Sequence, residues 1–400
     1  MANRVFITGL GIASSIGISP DEVLSSLISG KSGIATLSLF DSVYKLEIPI
    51  AEVKYINQQL FDLIGVKSSP FHSRNTLLGL LAVKEAIKMA GFLDSDLSDF
   101  GLYSGTTSGG MDLSENFYRS FINNSKAGRL RDIIHHDCGD STAVIAEELG
   151  IHGHVTTIST ACSSAANAIM CGARLIKSGY TDRVIAGGVD ALNQFTMNGF
   201  NSLMILDKQP CKPFDNNRNG LTLGEGAGFI ILESERCINP NSNKILCELK
   251  GYGNACDAYH QTASSPNGKG AYLSMHKALE NSGLDPSDIT YINTHGTGTV
   301  NNDLSEGIAM ERLFKKMPYY SSTKSYTGHT LGASGGIEAV ISILSIINKK
   351  IFPGVQSTQQ MNELKSSPVS KLIEDRNVNH ILSNSFGFGG NNTSLVFSVC

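Results

Sequence analysis

The chain is 400 residues long, 41% hydrophobic and 17% charged, with a formal net charge of −4 and a pI near 6.2. Its length exceeds that of one ordinary hydrophobic core, so it holds two core-sized units or one large, internally divided domain. The apolar share excludes a disordered chain, and the absence of a global basic field sets DNA and RNA aside as partners.

In chain order, the opening MANRVFITGLGIASSIG has one Arg and an apolar run broken by Gly and Ser, without the long apolar stretch of a secretory signal. Apolar, β-branched segments bounded by Gly or Asp predict buried strands over 5–12, 100–106, 154–160, 183–188 and 226–233. Between them, apolar residues at three- and four-residue spacing predict helices over 21–29, 75–89, 143–149 and 163–177. An Asn- and Pro-containing link at 237–243 follows. The same order then resumes, with strands over 245–251, 289–295 and 380–386 and helices over 305–315 and 335–347. We read two related α/β halves, residues 1–240 and 241–400, each with a strand that leads into a small-residue helix, at 156–168 and 291–308. No stretch reaches about 18 continuous apolar residues, so no membrane association is expected. The eight cysteines, at 138, 162, 171, 211, 237, 247, 256 and 400, show no CxxC pair and no zinc-ligand spacing. Reduced thiols in the cytoplasm are expected.

Four segments carry residues suited to chemistry. In TTISTACSSAANAIMCGARLIKSG, residues 156–179, a strand runs into Cys162 and then into an Ala/Ser-rich helix. A thiol at a helix N-terminus faces unpaired N–H groups and the positive end of the dipole, which lower its pKa and favour the thiolate. In YINTHGTGTVNNDLSEG, residues 291–307, a strand ends at His295 and opens into a loop where Gly296 and Gly298 allow close backbone approach and Thr297 and Thr299 offer hydroxyls. SSTKSYTGHTLGASGGIEAV, residues 321–340, sets Lys324 five residues before His329. In SNSFGFGGNNTSLVF, residues 383–397, Phe386 and Phe388 alternate with Gly387, Gly389 and Gly390, whose N–H groups could serve an anion.

Together STACSSAANAI, NTHGTGTVNND, STKSYTGHTLGASGG and NSFGFGGNNTSLVF, with RVFITGLGIASSIG and PFDNNRNGLTLGEGAGFIILE, resemble the elongating 3-oxoacyl-[acyl carrier protein] synthases and the related polyketide ketosynthases. The resemblance covers nearly the whole chain in the family's order. It implies the thiolase fold: two duplicated α/β halves whose mixed five-stranded sheets sandwich central helices in α-β-α-β-α layers. It also implies a dimer, either of identical chains or with a same-fold partner. By resemblance, Cys162 receives the acyl group, His295 and His329 promote decarboxylation of malonyl carrier protein, and Lys324 holds the site's hydrogen bonds with Glu306 as its acidic partner. The backbone N–H groups of Cys162 and Phe388 form the oxyanion hole, Phe388 is the gate, and Thr297 and Thr299 bind the phosphopantetheine arm of the carrier. The chemistry agrees with those residue types: a thiolate is both nucleophile and leaving group, and charge developing on thioester oxygens calls for donors already in place. No metal and no separate cofactor is expected.

Other readings compete. A chain-length-factor subunit of the same fold lacks the nucleophilic Cys; a degradative thiolase needs a second active Cys, and Cys400 lies outside the Gly-rich segment. A ketosynthase that depends on a degenerate partner stays open, as does a Cys–His thioester hydrolase. The run His135-His136-Asp137-Cys138 is read as a decoy because adjacent side chains rarely converge on one ion, and Gly224-Glu225-Gly226-Ala227-Gly228 and Asp303 are read as structural. Two departures bear on substrate. Ser108 stands in the loop expected to line the acyl pocket, where a bulky aliphatic is common, so a deeper or more polar pocket for long, unsaturated or aryl-capped chains is expected. Residues 67–74 carry few cations for docking an acidic carrier protein.

Overall fold

The computed structural model describes residues 4–39, 42–238, 244–374 and 377–400. The expected division after residue 240 falls at 239–243, outside the described residues.

Ten strands build the sheet: β1 (Val5–Ala13), β2 (Gly101–Gly105), β3 (Val155–Ile158), β4 (Arg183–Asp190), β5 (Gly226–Ser234), β6 (Cys247–Cys256), β7 (Tyr291–Asn293), β8 (Tyr319–Ser321), β9 (His380–Phe386) and β10 (Asn391–Ser398). Their spatial order is β3-β2-β4-β5-β1-β6-β10-β9-β7-β8. The first five strands therefore lie in the order third, second, fourth, fifth, first. Read inward from the other edge, the second five repeat that order. The directions repeat too: β3, β2 and β4 are parallel, β5 and β1 antiparallel, while β8, β7 and β9 are parallel, β10 and β6 antiparallel. This is a duplicated topology. The halves meet where β1 pairs with β6 over only Phe6↔Glu248 and Ile7↔Cys247, which joins two five-stranded sheets into one hydrogen-bonded series.

Five helices make the layers: α1 (Arg74–Ala90), α2 (Ser164–Lys177), α3 (Lys269–Ser282), α4 (Val300–Leu313) and α5 (Ser334–Asn348). α1 covers β1 and β5 on one outer face, and α3 covers β6 and β10 on the other. Between the sheets, α2 packs on β2 and β4, and α5 packs on β5, β9 and α2. The span Leu331–Asn348 is long and apolar enough to cross a membrane, yet 89% of it is buried here. Its apolarity reflects a helix surrounded by sheet on both sides.

Close approach at the centre depends on small residues. A Cβ on Gly228 of β5 would lie 2.4 Å from the Gly336 carbonyl carbon of α5, and one on Gly336 would lie 2.2 Å from the Gly228 oxygen. Backbone meets backbone there, which draws α5 and the loop before it onto the sheet.

The residue patterns identify the strands of the first half within one or two residues, but the structure starts helix α4 at Val300 and β6 runs on to Cys256. Thr299 ends the loop in extended backbone, so the helix begins five residues before the apolar pattern does. Short β8 and the helix Lys269–Ser282, whose apolar face is made largely of Ala, Gly and Ser, leave no strong periodic signal.

Gly228→Ala is expected to lower stability by about 1–3 kcal/mol, the range for forcing atoms into a packed core, read as a fall in the urea midpoint. An unchanged midpoint would show that α5 can retreat freely.

Candidate active site

The site is built where the C-terminal ends of strands from both halves face one another. β3 ends at Ile158, and the chain turns through Ala161, held at φ 53, before α2 begins at Ser164. Left-handed backbone at a non-glycine costs about 1–3 kcal/mol. Here the Thr160 N–H donates to Ser164 Oγ at 2.9 Å and Ser164 Oγ donates to the Ala161 carbonyl at 2.6 Å. The turn presents Cys162, 6% exposed, into the gap between the halves.

His329 Nε2 lies 3.1 Å from Cys162 Sγ, and its Nδ1 lies 2.9 Å from Ser334 Oγ. The His295 ring stands edge-on to it, with 5.3 Å between ring centroids and 83° between planes. Lys324, 1% exposed, donates from Nζ to the His295 carbonyl at 2.6 Å, lies 3.3 Å from His295 Nδ1, and pairs closely with Glu338. An ammonium beside Nδ1 makes that nitrogen the acceptor, which leaves the proton of neutral His295 on Nε2.

Burial, then the Lys324 charge, holds the pKa of His329 well below the usual 6.5; the same two causes, with His329 third, lower that of His295. Both rings are therefore neutral at pH 7. Burial pushes the Cys162 thiol up to about 11, opposed by Lys324 and by the backbone N–H groups of Phe388 and Cys162 that point at the sulfur. The sequence expectation of a lowered thiol pKa is corrected in sign: the helix terminus and N–H groups are in place, but desolvation outweighs them. A resting thiol must hand its proton to a neighbour, and His329 is at hydrogen-bond distance.

A second correction concerns Glu306. Its carboxylate does not pair with Lys324. It accepts the backbone N–H groups of His295 at 3.0 Å and Gly296 at 2.9 Å, and Asn384 Nδ2 at 3.0 Å, fixing the loop that carries His295. Glu338 of α5 is the lysine's partner. The signal in the sequence was one carboxylate inside the apolar run of α5, since a charge buried in such a helix requires a counter-charge.

Thr297 and Thr299, with hydroxyls 2.9 Å apart, line a cavity together with Cys162, His295, His329 and Phe388. A second cavity of about 450 Å³ also reaches Cys162, lined by Thr107, Met111, Phe195, Leu331 and others. The Phe388 ring stands between the two, stacked on Phe200 at 5.9 Å and 12°. Ser108 is not among the lining residues. Its hydroxyl donates to buried Asp190 at 2.8 Å, because the loop turns Thr107 and Met111 towards the cavity instead. Phe200 shares the nine-residue helix Gln194–Ser202 with Phe195, too short a segment for its aromatics to leave a pattern in the sequence.

The decoys resolve as structure. His135 bonds Asp140 and His136 faces Ser114, so the two imidazoles serve different partners. Glu225 pairs with Arg74 at 2.6 Å, which also removes Arg74 from any docking surface at 67–74. Asp303 accepts N–H groups of Phe214, Thr297 and Gly298. The ligand-type atoms of Cys162, His295 and His329 lie within 4.8 Å of one another, but the ammonium beside His295 opposes a dication there.

Fold and site define a condensing enzyme of the thiolase-like class. Residues 2–236 match the family model "Beta-ketoacyl synthase, N-terminal domain" and residues 246–358 match "Beta-ketoacyl synthase, C-terminal domain". The chain belongs to the β-ketoacyl synthase family, whose members are acyltransferases. It is 32% identical to a 3-oxoacyl-[acyl-carrier-protein] synthase 2 of Staphylococcus aureus, over 98% of both chains. Among solved structures it superposes on the ishigamide ketosynthase/chain length factor with a TM-score of 0.94 and 29% identity, covering all of both chains. A ketosynthase in complex with its chain length factor from Xenorhabdus doucetiae gives a TM-score of 0.81 and 30% identity, over 100% of this chain and 98% of that one.

Glu338→Leu leaves the Lys324 ammonium buried without a carboxylate. The expected loss is about 3–5 kcal/mol in urea unfolding, as for other broken buried pairs; a loss below about 1 kcal/mol would show that this pair carries little charge.

Proposed function

We propose that this enzyme takes an acyl group from a carrier-protein thioester onto Cys162, decarboxylates a malonyl carrier protein, and joins the two as 3-oxoacyl carrier protein. The observation that carries the reading is the pairing of Cys162 Sγ with His329 Nε2 at 3.1 Å beside a second imidazole tied to a buried lysine.

In the first half-reaction the Cys162 proton passes to His329 Nε2 and the thiolate attacks the acyl carbonyl. The tetrahedral oxyanion is held by the N–H groups of Cys162 and Phe388. Collapse breaks the bond to the pantetheine sulfur, which leaves with the proton from His329. In the second, the bond from malonyl carbon to carboxylate breaks and CO2 departs. The electron pair moves into an enolate whose oxygen accepts hydrogen bonds from the Nε2–H of His295 and from that of His329, which exchanges its Nδ1 proton for one on Nε2 through Ser334 and water once Cys162 is acylated and offers no proton. The enolate carbon attacks acyl-Cys162, the same oxyanion hole holds the second tetrahedral intermediate, and the Cys162 thiolate leaves and takes a proton from water. Lys324 is a positioning residue that keeps His295 in the donor tautomer and adds its charge to the burial that holds both rings neutral. Thr297 and Thr299 receive the pantetheine arm in the cavity on one side of Phe388, and the acyl chain occupies the cavity on the other. Side chains, backbone N–H groups and water supply every group these steps call for.

The partners follow from the same geometry. The substrates arrive on a carrier protein in the cytoplasm. The free edge of β3 and the exposed Tyr118, Ile122 and Phe195 form the face for a second subunit of this fold. Met111 and Phe195 line both the acyl cavity and a surface groove beside it, so that subunit closes the far end. A second copy of this chain and a chain-length-factor partner of the kind present in the two structural relatives both meet that need.

Mass spectrometry tests the condensing reading. Wild type given acyl carrier proteins is expected to gain the acyl mass, Cys162→Ala to gain none, and added malonyl carrier protein to yield a product two carbons longer. Acylation that persists in Cys162→Ala would overturn it.

The histidines supply a pH test. Their pKa values lie well below 6.5, so falling pH does not charge them until it passes below the ordinary imidazole range. Malonyl decarboxylation by wild type is expected to stay level between about pH 8 and about pH 6. Half-loss near the free-imidazole value would show that the rings titrate normally.

A further inference from the structure

The two N–H donors of the proposed oxyanion hole come from opposite halves of the molecule. Cys162 belongs to the turn before α2, and Phe388 to the loop between β9 and β10. Their separation must hold to a fraction of an ångström for both to reach one oxygen, yet Gly389 and Gly390, each at φ 81, follow Phe388 directly and give that loop room to swing.

One residue is bonded to both sides. The Asn391 carbonyl accepts the Gly387 N–H at 2.8 Å, which ties the loop across Phe388. Its side-chain Oδ1 accepts Ser163 Oγ at 2.8 Å, Asn167 Nδ2 at 2.9 Å and Asn254 Nδ2 at 3.0 Å. Asn167 Nδ2 also reaches Thr160 Oγ1 at 2.8 Å, and Asn167 Oδ1 accepts Thr393 Oγ1 at 2.8 Å and Asn254 Nδ2 at 3.0 Å. Thr160 and Ser163 flank Cys162 in sequence. Asn254, Asn391 and Thr393 belong to the other half.

We propose that Asn391, with Asn167, is a positioning residue of the condensation: a polar clamp that keeps the Cys162 and Phe388 N–H groups in register while the Phe388 ring moves. Its carbonyl holds the base of the gate loop, and its amide oxygen holds the nucleophile turn. Several donors converge on one oxygen in a half-buried site, so removing that oxygen takes from each of them the acceptor that crosses between the halves and frees the turn from the loop. The clamp acts on steps that use the oxyanion hole, which are acyl transfer to and from Cys162. It does not act on decarboxylation, where the enolate oxygen rests on His295 and His329.

The inference rests on the condensing reading above, and wild type tests that reading separately. With wild-type acylation of Cys162 established, Asn391→Leu is expected to slow acyl transfer about 10- to 100-fold, somewhat less than deletion of an oxyanion donor. Malonyl decarboxylation should stay within about threefold of wild type, the bounds expected if its donors are untouched. Asn391→Asp keeps an oxygen acceptor in the same place and is expected to recover acyl transfer to within about tenfold of wild type. If Asn391→Leu does not fold, Asn391→Ser, too short to span to α2, is measured with the same expectation. Equal losses in acyl transfer and decarboxylation, or unchanged acyl transfer in a folded variant, would overturn the clamp.

Discussion

A buried ammonium organises this molecule's chemistry. Lys324 is almost wholly inaccessible to water, and isolated charge in that position is prohibitive unless it is neutralised and hydrogen-bonded. Glu338 supplies the opposite charge from α5, and the His295 carbonyl and Nδ1 take up the remaining directions. One consequence is chemical: a positive group against Nδ1 places the His295 proton on the opposite nitrogen, and burial, reinforced by that charge, keeps both imidazoles neutral. Another is architectural, because α5 can reach the lysine only if it packs between the sheets, where Gly228 and Gly336 let it touch β5 backbone to backbone.

The duplicated topology explains why the site lies between halves. Each half ends a strand at a loop and helix that point to the shared middle, one bringing Cys162 and the other His295. The pairing between the halves at β1 and β6 is short, so their relative position depends on the central helices and on polar contacts such as those around Asn167 and Asn391. Cys162 sits where two cavities meet. Both have largely apolar walls, the one lined by Thr297 and Thr299 with the larger polar share, and the Phe200–Phe388 stack stands between them.

The thiol's environment follows from the same burial. A sulfur removed from water keeps its proton despite the helix terminus and the N–H groups aimed at it, and its nearest base is a neutral histidine. Because burial raises the thiol's pKa and lowers the histidine's, the proton rests on the sulfur although the base is adjacent.

By itself the sequence determined the strand and helix order of much of both halves, because buried strands and amphipathic helices leave periodic apolar patterns. It also displayed Cys162, His295, Lys324 and His329 in segments whose resemblance to the condensing enzymes was specific, and the structure joins them in a chain of contacts from Cys162 to His329, to His295, to Lys324. Only the tertiary structure decided the partners. Glu306 and Glu338 are both carboxylates on helices near the site, and nothing in their spacing says that one holds a loop while the other holds the lysine. The loop around Ser108 reads as pocket lining, yet its turn sends that hydroxyl to Asp190 and leaves Thr107 and Met111 at the cavity. The sign of the Cys162 shift likewise depends on burial, which exists only once both halves have closed over the sulfur. Local pattern records which backbone a residue prefers; which side chains share a charge, a proton or a cavity is set by contacts between segments tens to hundreds of residues apart.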